Sequence, residues 1–324
     1  MAILEFNRRV LELAVDEATP LMERLQFLGI TSRNLDEYFE IRVAGLQEQV
    51  TLATGQPGTD SSGPLDLLKR IAQAAHVLVD EQYRVLNDVL LPALEKSGIK
   101  ILRRQQWSEK IAAWIQQFFE SDLLPVLTPM GLDPAHPFPR ILNKSLNFIV
   151  ALKGKDAFGR DSRLAVVQAP RALPRVIRLP PELSEGHDLF VLLSSIIHAH
   201  VGDLFAGMEP TGCYQFRVTR NSDLFVDPEE VDDVLRAIQG ELSARRFGEA
   251  VRLEVADNCP KDIADFLLRQ FQLDADDFYQ VNGLVNLTRL MAIYDLVERP
   301  ELKYAPLNPG LPARVDSSRD LFQE

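Results

Sequence analysis

The stretch ITSRNLDEYFEIRVAGL, Ile30 to Leu46, gathers side chains that could meet an anion or a nucleobase. Asn34 lies beside Arg33 and ahead of Arg42, in a run that also carries Asp36, Glu37 and Glu40. Thr31-Ser32-Arg33-Asn34 reads as a helix start: Ser32 or Asn34 caps it, and Glu37 follows Asn34 at capping-box spacing. A helix start also offers free backbone N–H groups to an anion, so a cap and a ligand contact are compatible. Spacing alone does not choose between them.

Other clusters are weaker. DPAHPFPRILNKSLNF places Arg140 and Lys144 after a run of prolines. It reads as a rigid loop entering a strand, or as a basic lip for an anionic polymer. RALPRVIRLP holds Arg171, Arg175 and Arg178, which read as decoration of a surface turn. His198 and His200 stand two apart and diverge on a helix, so they read as structural or surface residues; an HxK phosphotransfer pattern would need a lysine where His200 stands. Asp232 and Asp233, and Asp274 with Asp276 and Asp277, lack the glycine and closing glutamate of a calcium loop and read as solvated acidic turns. Neither GxxxxGK[ST] nor GxGxxG nor HExxH occurs. No metal is expected on this chain.

These side chains need elements to hold them. Apolar spacing predicts helices over LEFNRRVLELAVD, over PLMERLQFLGI with Gly29 weakening its end, over the opening stretch to about Leu52, and from about Leu65 to Lys96. TGQPGTDSSGP is a loop, and the four helices could close a bundle. Beyond Gly98 strand and helix alternate. IKIL, LNFIVAL, RLAVVQAP, CYQFRVTR and AVRLEVA read as strands. A helix capped by Ser108, DPEEVDDVLRAIQGELSARR and PKDIADFLLRQF read as helices. The expected fold class is α+β: a helical domain over 1–102, an α+β head over 103–308, and a linker over 309–324.

Composition narrows the partners. The 324 residues are 46% hydrophobic and 25% charged, as in a folded globular protein. A formal charge of -12 speaks against a broad nucleic-acid binder, although it leaves room for a local basic groove. Cys213 and Cys259 are too few for a disulfide framework and fit a reducing compartment. No apolar run reaches the roughly 18–20 residues of a membrane span. A cytoplasmic protein is expected, with peripheral membrane contact left open.

Five segments in order carry a resemblance: FNRRVLELAVDEATPLMERLQFLGITSRNLDEYFEIRVAGL, HPFPRILNKSLNFIV, GCYQFRVTRNSDL, RRFGEAVRLEV and NLTRLMAIYDLVERPELKY. They resemble the long-chain polyphosphate kinases, which polymerise the terminal phosphate of ATP. The resemblance implies a bundle-like N domain supplying part of the nucleotide pocket and a head domain making dimer contacts. It implies two further phospholipase-D-like domains with the phosphorylated histidine, expected to be absent from this chain. It also implies ATP, ADP and inorganic polyphosphate as substrates, a homo-oligomer, and Mg²⁺ in the full-length enzyme. One site residue carries over: Asn34 matches the asparagine that contacts the ATP base. An amide presents a donor and an acceptor together, which suits an adenine edge. Arg33, Arg42, Arg140 and Lys144 are candidates for a polyanion path. The chain alone is expected to be inactive; the alternative is a non-catalytic module that dimerises or binds a full-length relative.

Overall fold

The computed structural model describes residues 1–55, 62–133, 137–155, 163–184, 186–222 and 248–306. Helix α1 (Ala2–Val15) buries Leu4, Asn7, Leu11 and Ala14, one stripe at helical spacing. Helix α2 (Leu21–Glu37) begins after Pro20 and passes without a break through a π-helical segment, Tyr38–Val43, into α3 (Ala44–Gly55). The helix start expected at Thr31 to Asn34 is therefore corrected: all four residues lie inside one rod. The polar side chains that looked like caps are used elsewhere. Thr31 Oγ1 donates back to the Phe27 carbonyl at 2.8 Å, Ser32 is buried, and Asn34 turns to α1. Each π turn adds a residue to the ordinary repeat, which here brings Tyr38, Phe39, Glu40 and Val43 all to buried positions.

Gly29 does not weaken a helix end either. It stands in mid-α2, where a Cβ would overlap Cγ and Sδ of Met291, in the 3-10 turn Leu287–Met291. Its small size lets that turn approach the helix. Gly29→Ala is expected to cost about 1–3 kcal/mol by overpacking. In a Met291→Ala chain the same change should instead gain up to about 1 kcal/mol of helix preference. Denaturant unfolding of the four chains checks this reversal of sign.

Helix α4 (Ser62–Arg84), a second π segment (Val85–Leu90) and α5 (Leu91–Lys96) complete the helical part. Then follow β1 (Ile99–Ile101), α6 (Glu109–Phe118), β2 (Thr128–Gly131), β3 (Asn147–Gly154) and β4 (Leu164–Gln168). After them come β5 (Val176–Arg178), α7 (Pro181–Ser184), β6 (Asp188–Leu192), α8 (Leu193–Ala199) and β7 (Met208–Arg220). The last elements described are β8 (Ala250–Ala256), α9 (Lys261–Phe271), β9 (Phe278–Val281) and α10 (Ala292–Leu296). Ser108 caps α6 as expected, its Oγ accepting from Ile111 N at 3.4 Å. The helix expected over 227–246 and the pair Asp232 and Asp233 lie outside the described residues.

The strands form two sheets. A small one runs β1-β6-β5; a six-stranded one runs β2-β4-β3-β7-β8-β9, antiparallel except where β8 meets β9. One face of the large sheet packs Ile149, Val166, Phe216, Val218, Leu253 and Val255 against α9. On the other face, Phe148, Val150, Ala165 and Val167 join a core with α6 and α8. Where β7 and β8 continue that face, it turns polar: Arg217 and Thr219, then Arg252 and Glu254, all buried. The helical part covers it. A third core joins α1, α2 and α4 to Val251, Tyr279, Val281, Leu284, Leu287, Leu290 and Ile293.

Candidate functional site

Asn34 lies partly buried on α2, and its Nδ2 donates to Asn7 Oδ1 at 3.2 Å. Asn7 is itself held, donating to the Thr31 carbonyl at 2.8 Å. The Asn34 side chain is thus oriented by α1, while its Oδ1 and second amide hydrogen have no partner among the described residues. One acceptor and one donor remain on offer at a fixed place. Arg33 and Arg42 are exposed, and neither makes a hydrogen bond or ion pair among the described residues.

One turn of helix beyond Arg33, the acidic run ceases to be a solvated face. Asp36 and Glu40 point into the protein. Arg217 donates from Nη1 and Nη2 to the two Asp36 oxygens, each at 2.9 Å, and from Nε to Glu254 at 2.5 Å. Arg252 Nη2 donates to Asp36 and, at 3.0 Å, to Glu254. Two cations and two carboxylates therefore close a ring, each side chain at most 6% exposed. Burial works against the Asp36 carboxylate, but Arg217 and Arg252 outweigh it and hold its carboxyl below the usual range. Burial likewise opposes the Arg217 charge, and Asp36 with Glu254 overcome it. The Arg252 guanidinium also sits over the Phe39 ring, 4.7 Å from its centroid. This ring fastens α2 to the middle of the large sheet.

Glu40, one helical turn on, makes the neighbouring junction. It accepts from Asn143 Nδ2 at 2.5 Å and from Lys144 Nζ at 2.8 Å. Lys144 has φ 54°, a left-handed conformation that a lysine adopts only where its surroundings hold it. Its charge is thereby shared with Glu40 across the α2–head seam, with the lysine side chain 36% exposed. Arg140 is exposed, and its carbonyl accepts from Gln168 at 3.3 Å.

Of the arginines read as surface decoration, Arg171 and Arg178 are exposed as expected, and Arg175 is corrected. Arg171 donates to the Asn143 carbonyl, and Arg178 reaches the Leu296 carbonyl at 2.8 Å and Asp188 at 2.6 Å. Arg175 is 7% exposed. The prolines around them shape the entry and exit of β5, which pulls Arg175 inward between Ala169 and α8.

Comparison with known proteins agrees with this architecture. The polyphosphate kinase N-terminal domain matches residues 1–102, and the polyphosphate kinase middle domain matches residues 110–293. The chain belongs to the polyphosphate kinase family. The polyphosphate kinase of Pseudomonas syringae pv. tomato is 56% identical over 319 residues, 98% of this chain and 43% of the relative. That of Neisseria gonorrhoeae is 53% identical over 322 residues, 99% of this chain and 47% of the relative. The crystal structure of the polyphosphate kinase from Porphyromonas gingivalis superposes with a TM-score of 0.75 at 25% identity, covering 95% of this chain and 42% of that one. This chain thus spans less than half the length of these relatives.

Within this polyphosphate kinase chain several side chains take structural places. His198 is half-buried, and burial lowers its pKa; His200 stacks on Phe119. Both cysteines are buried, and burial pushes each thiol up to about 12. Asp277 departs from the solvated-turn reading: it is partly buried, accepts from Gln47 Nε2 at 3.1 Å, and ties the turn before β9 to α3. No three His, Cys, Asp or Glu side chains gather to hold a metal among the described residues. No described helix is long and apolar enough to cross a membrane.

Proposed function

We propose that this chain supplies the base-recognising side of a polyphosphate kinase that reversibly transfers the terminal phosphate of ATP to polyphosphate through a phosphohistidine. The observation that carries it is Asn34: an amide fixed by Asn7 with a free acceptor and a free donor side by side. That pair matches the amino group and ring nitrogen on an adenine edge. The helical part, residues 1–102, forms one wall of the nucleotide pocket, and the head over 103–308 carries contacts to a second copy. Leu124 and Val126, exposed apolar residues after α6, suit such a contact. Arg33 and Arg42, exposed near Asn34 in sequence, are the better candidates for the polyanion path; Lys144 already faces Glu40.

Magnesium is assigned to the nucleotide phosphates rather than to a residue of this chain. Phosphoryl transfer itself is assigned to the parts of the full-length relatives beyond the span matched here. The proposal places the protein in the cytoplasm and gives it no nucleic-acid partner.

ATP titration followed by saturation-transfer NMR tests the reading. Binding should be weak, with a Kd above about 1 mM, or about 4 kcal/mol at best. Asn34→Ala should weaken it about tenfold, the worth of one to two hydrogen bonds. Unchanged ATP signals in Asn34→Ala would sink the assignment. Polymer growth by this chain alone would sink the placement of the chemistry elsewhere.

A further inference from the structure

A cavity of about 330 Å³ opens where the second π segment, β1, the start of α8 and the stretch 282–290 meet. Leu86, Leu91, Ile101, Leu192, Leu284 and Leu290 give it an apolar lining. Leu91, Ile101 and Leu192 are only partly buried, so some of that apolar surface is left uncovered. The walls are held in place. Asn87 Nδ2 donates to the Asn282 carbonyl at 2.9 Å, and Tyr83 Oη donates to the Leu284 carbonyl at 2.8 Å. The helical part thus grips the loop that closes one side, and the space is already formed in the folded chain.

The polar lining gathers on the side of β7 and α8. Ser194 is 2% exposed, and neither its hydroxyl nor the Gln215 amide makes a hydrogen bond among the described residues. Gln215 Oε1 is buried without a partner; half a turn about its terminal bond presents the amide nitrogen instead. A buried amide in that state is costly until something meets it. Arg103 and Arg104 are exposed at the edge of the cavity and have no ion pair among the described residues. No described carboxylate lines the space. Glu95, in an adjoining cavity that Arg103 also borders, faces Lys100 at 3.9 Å. The Arg104 charge reaches the polar side: after burial it is the next cause that lowers the His198 pKa. It also opposes the burial that raises Cys213, which shares a face of β7 with Gln215.

We propose that this cavity binds a small amphipathic carboxylate, an aliphatic or aromatic acid with one charged end. Its apolar body covers the leucine lining, and its carboxylate lies with Arg104, Ser194 and Gln215, with Arg103 at the rim. A guanidinium fork matches two carboxylate oxygens at once. Phosphate or a polyphosphate would answer the arginines but bring a hydrated multiple charge onto an apolar surface, which is unfavourable. The volume stands at the lower end of the roughly 300–1,000 Å³ of small-molecule sites. None of the residues assigned to the nucleotide or the polyanion lines it, so the site does not rest on the reading of Asn34. Leu86 and Leu91 belong to one matched stretch and Leu192 and Leu284 to the other, so an occupant braces the seam between them.

Sodium octanoate titrated into this chain tests the site, read by saturation-transfer NMR and thermal unfolding against sodium chloride at equal ionic strength. Octanoate is expected to bind saturably with a Kd of about 0.1–1 mM, and to raise Tm by about 2 °C at about ten times that concentration. Octanamide, the same body without the charge, should bind about tenfold more weakly, and so should octanoate to Arg104→Gln. Arg103 and Arg104 are exposed, so Arg103→Gln and Arg104→Gln leave the core untouched. Gln215→Leu breaks no hydrogen bond among the described residues; it should keep or raise the Tm of the free chain and still weaken octanoate several-fold. Asn34→Ala should leave octanoate binding unchanged even where ATP binding is lost, which separates this site from the nucleotide reading. A response equal to chloride, equal affinity for octanoate and octanamide, or an affinity unchanged in Arg103→Gln, Arg104→Gln and Gln215→Leu alike overturns the proposal.

Discussion

Replacing Asp36 with alanine is expected to destabilise the protein by about 3–5 kcal/mol, the cost of leaving a buried charge without its partner. Two arginines depend on this one carboxylate. Arg217 gives it two hydrogen bonds and Arg252 a third, and without it both would face Glu254 alone. Thermal unfolding should show a drop in Tm of roughly 5–10 °C. The remedy follows from the charge count. Asp36→Leu combined with Arg217→Met leaves Arg252 paired with Glu254 at 3.0 Å, and should recover more than half of the loss. A cost below about 1 kcal/mol for Asp36→Ala would mean that water reaches the ring and the junction is not dry. The pH dependence has a definite sign. The folded carboxyl is held below its unfolded value, so its contribution is present above about pH 4 and is lost as pH falls toward the folded pKa. Asp36→Asn should therefore flatten the acid side of the stability curve.

Asp277→Asn is expected to do the opposite and stabilise the protein at neutral pH. Burial above all, then the neighbouring Asp274 and Asp276 charges, raise the Asp277 carboxyl to about 6, against a hydrogen bond from Asp274 N that lowers it. The folded state therefore holds a proton that the unfolded chain has already released. Stability must fall as pH rises between about 4 and 6. Two pH units at about 1.4 kcal/mol each bound the effect at about 3 kcal/mol. An asparagine keeps one oxygen to accept from Gln47 Nε2 or from Asp274 N, at 3.1 and 3.2 Å in the native protein, and carries no charge. The gain should be about 1–3 kcal/mol at pH 7 and should vanish below pH 4. Equal gains at pH 3.5 and pH 7 would show that the charge is not the cause.

The sequence made the elements more legible than the joints between them. Alternation exposed β3, β4, β7 and β8, and helical spacing exposed α1, α4, α6 and α9, because in each the buried set repeats at one period. Thr31, Ser32 and Asn34 misled because the same side chains that cap a helix also serve inside one when a neighbouring helix or the carbonyl a turn back takes their hydrogen bonds. The short strands β2, β5 and β9 carry too few residues to show a period. Arg175 was misjudged because its prolines speak of a turn and not of which side of it faces inward. Arg217, Arg252 and Glu254 were passed over altogether. A signal was present: FRVTR and VRLEV place polar residues, Arg217 and Thr219, then Arg252 and Glu254, at alternate positions between apolar residues that demand a core. A strand with one apolar face and arginines on the other usually faces water; only the covering helices, which lie far away in sequence, reveal that here it does not. Asn34 was legible through resemblance to a family, not through spacing.

The core that joins α1, α2 and α4 also contains Tyr279, Val281, Leu284, Leu290 and Ile293, some two hundred residues away along the chain. The two matched stretches, 1–102 and 110–293, are thus separate in sequence but not in thermodynamics. Severing the chain between them would strip the helical part of one wall of its core and leave Asp36 without its arginines, so the helical piece has no complete core of its own. A protease cut in a surface loop should leave the halves associated, and the whole should melt in one cooperative transition.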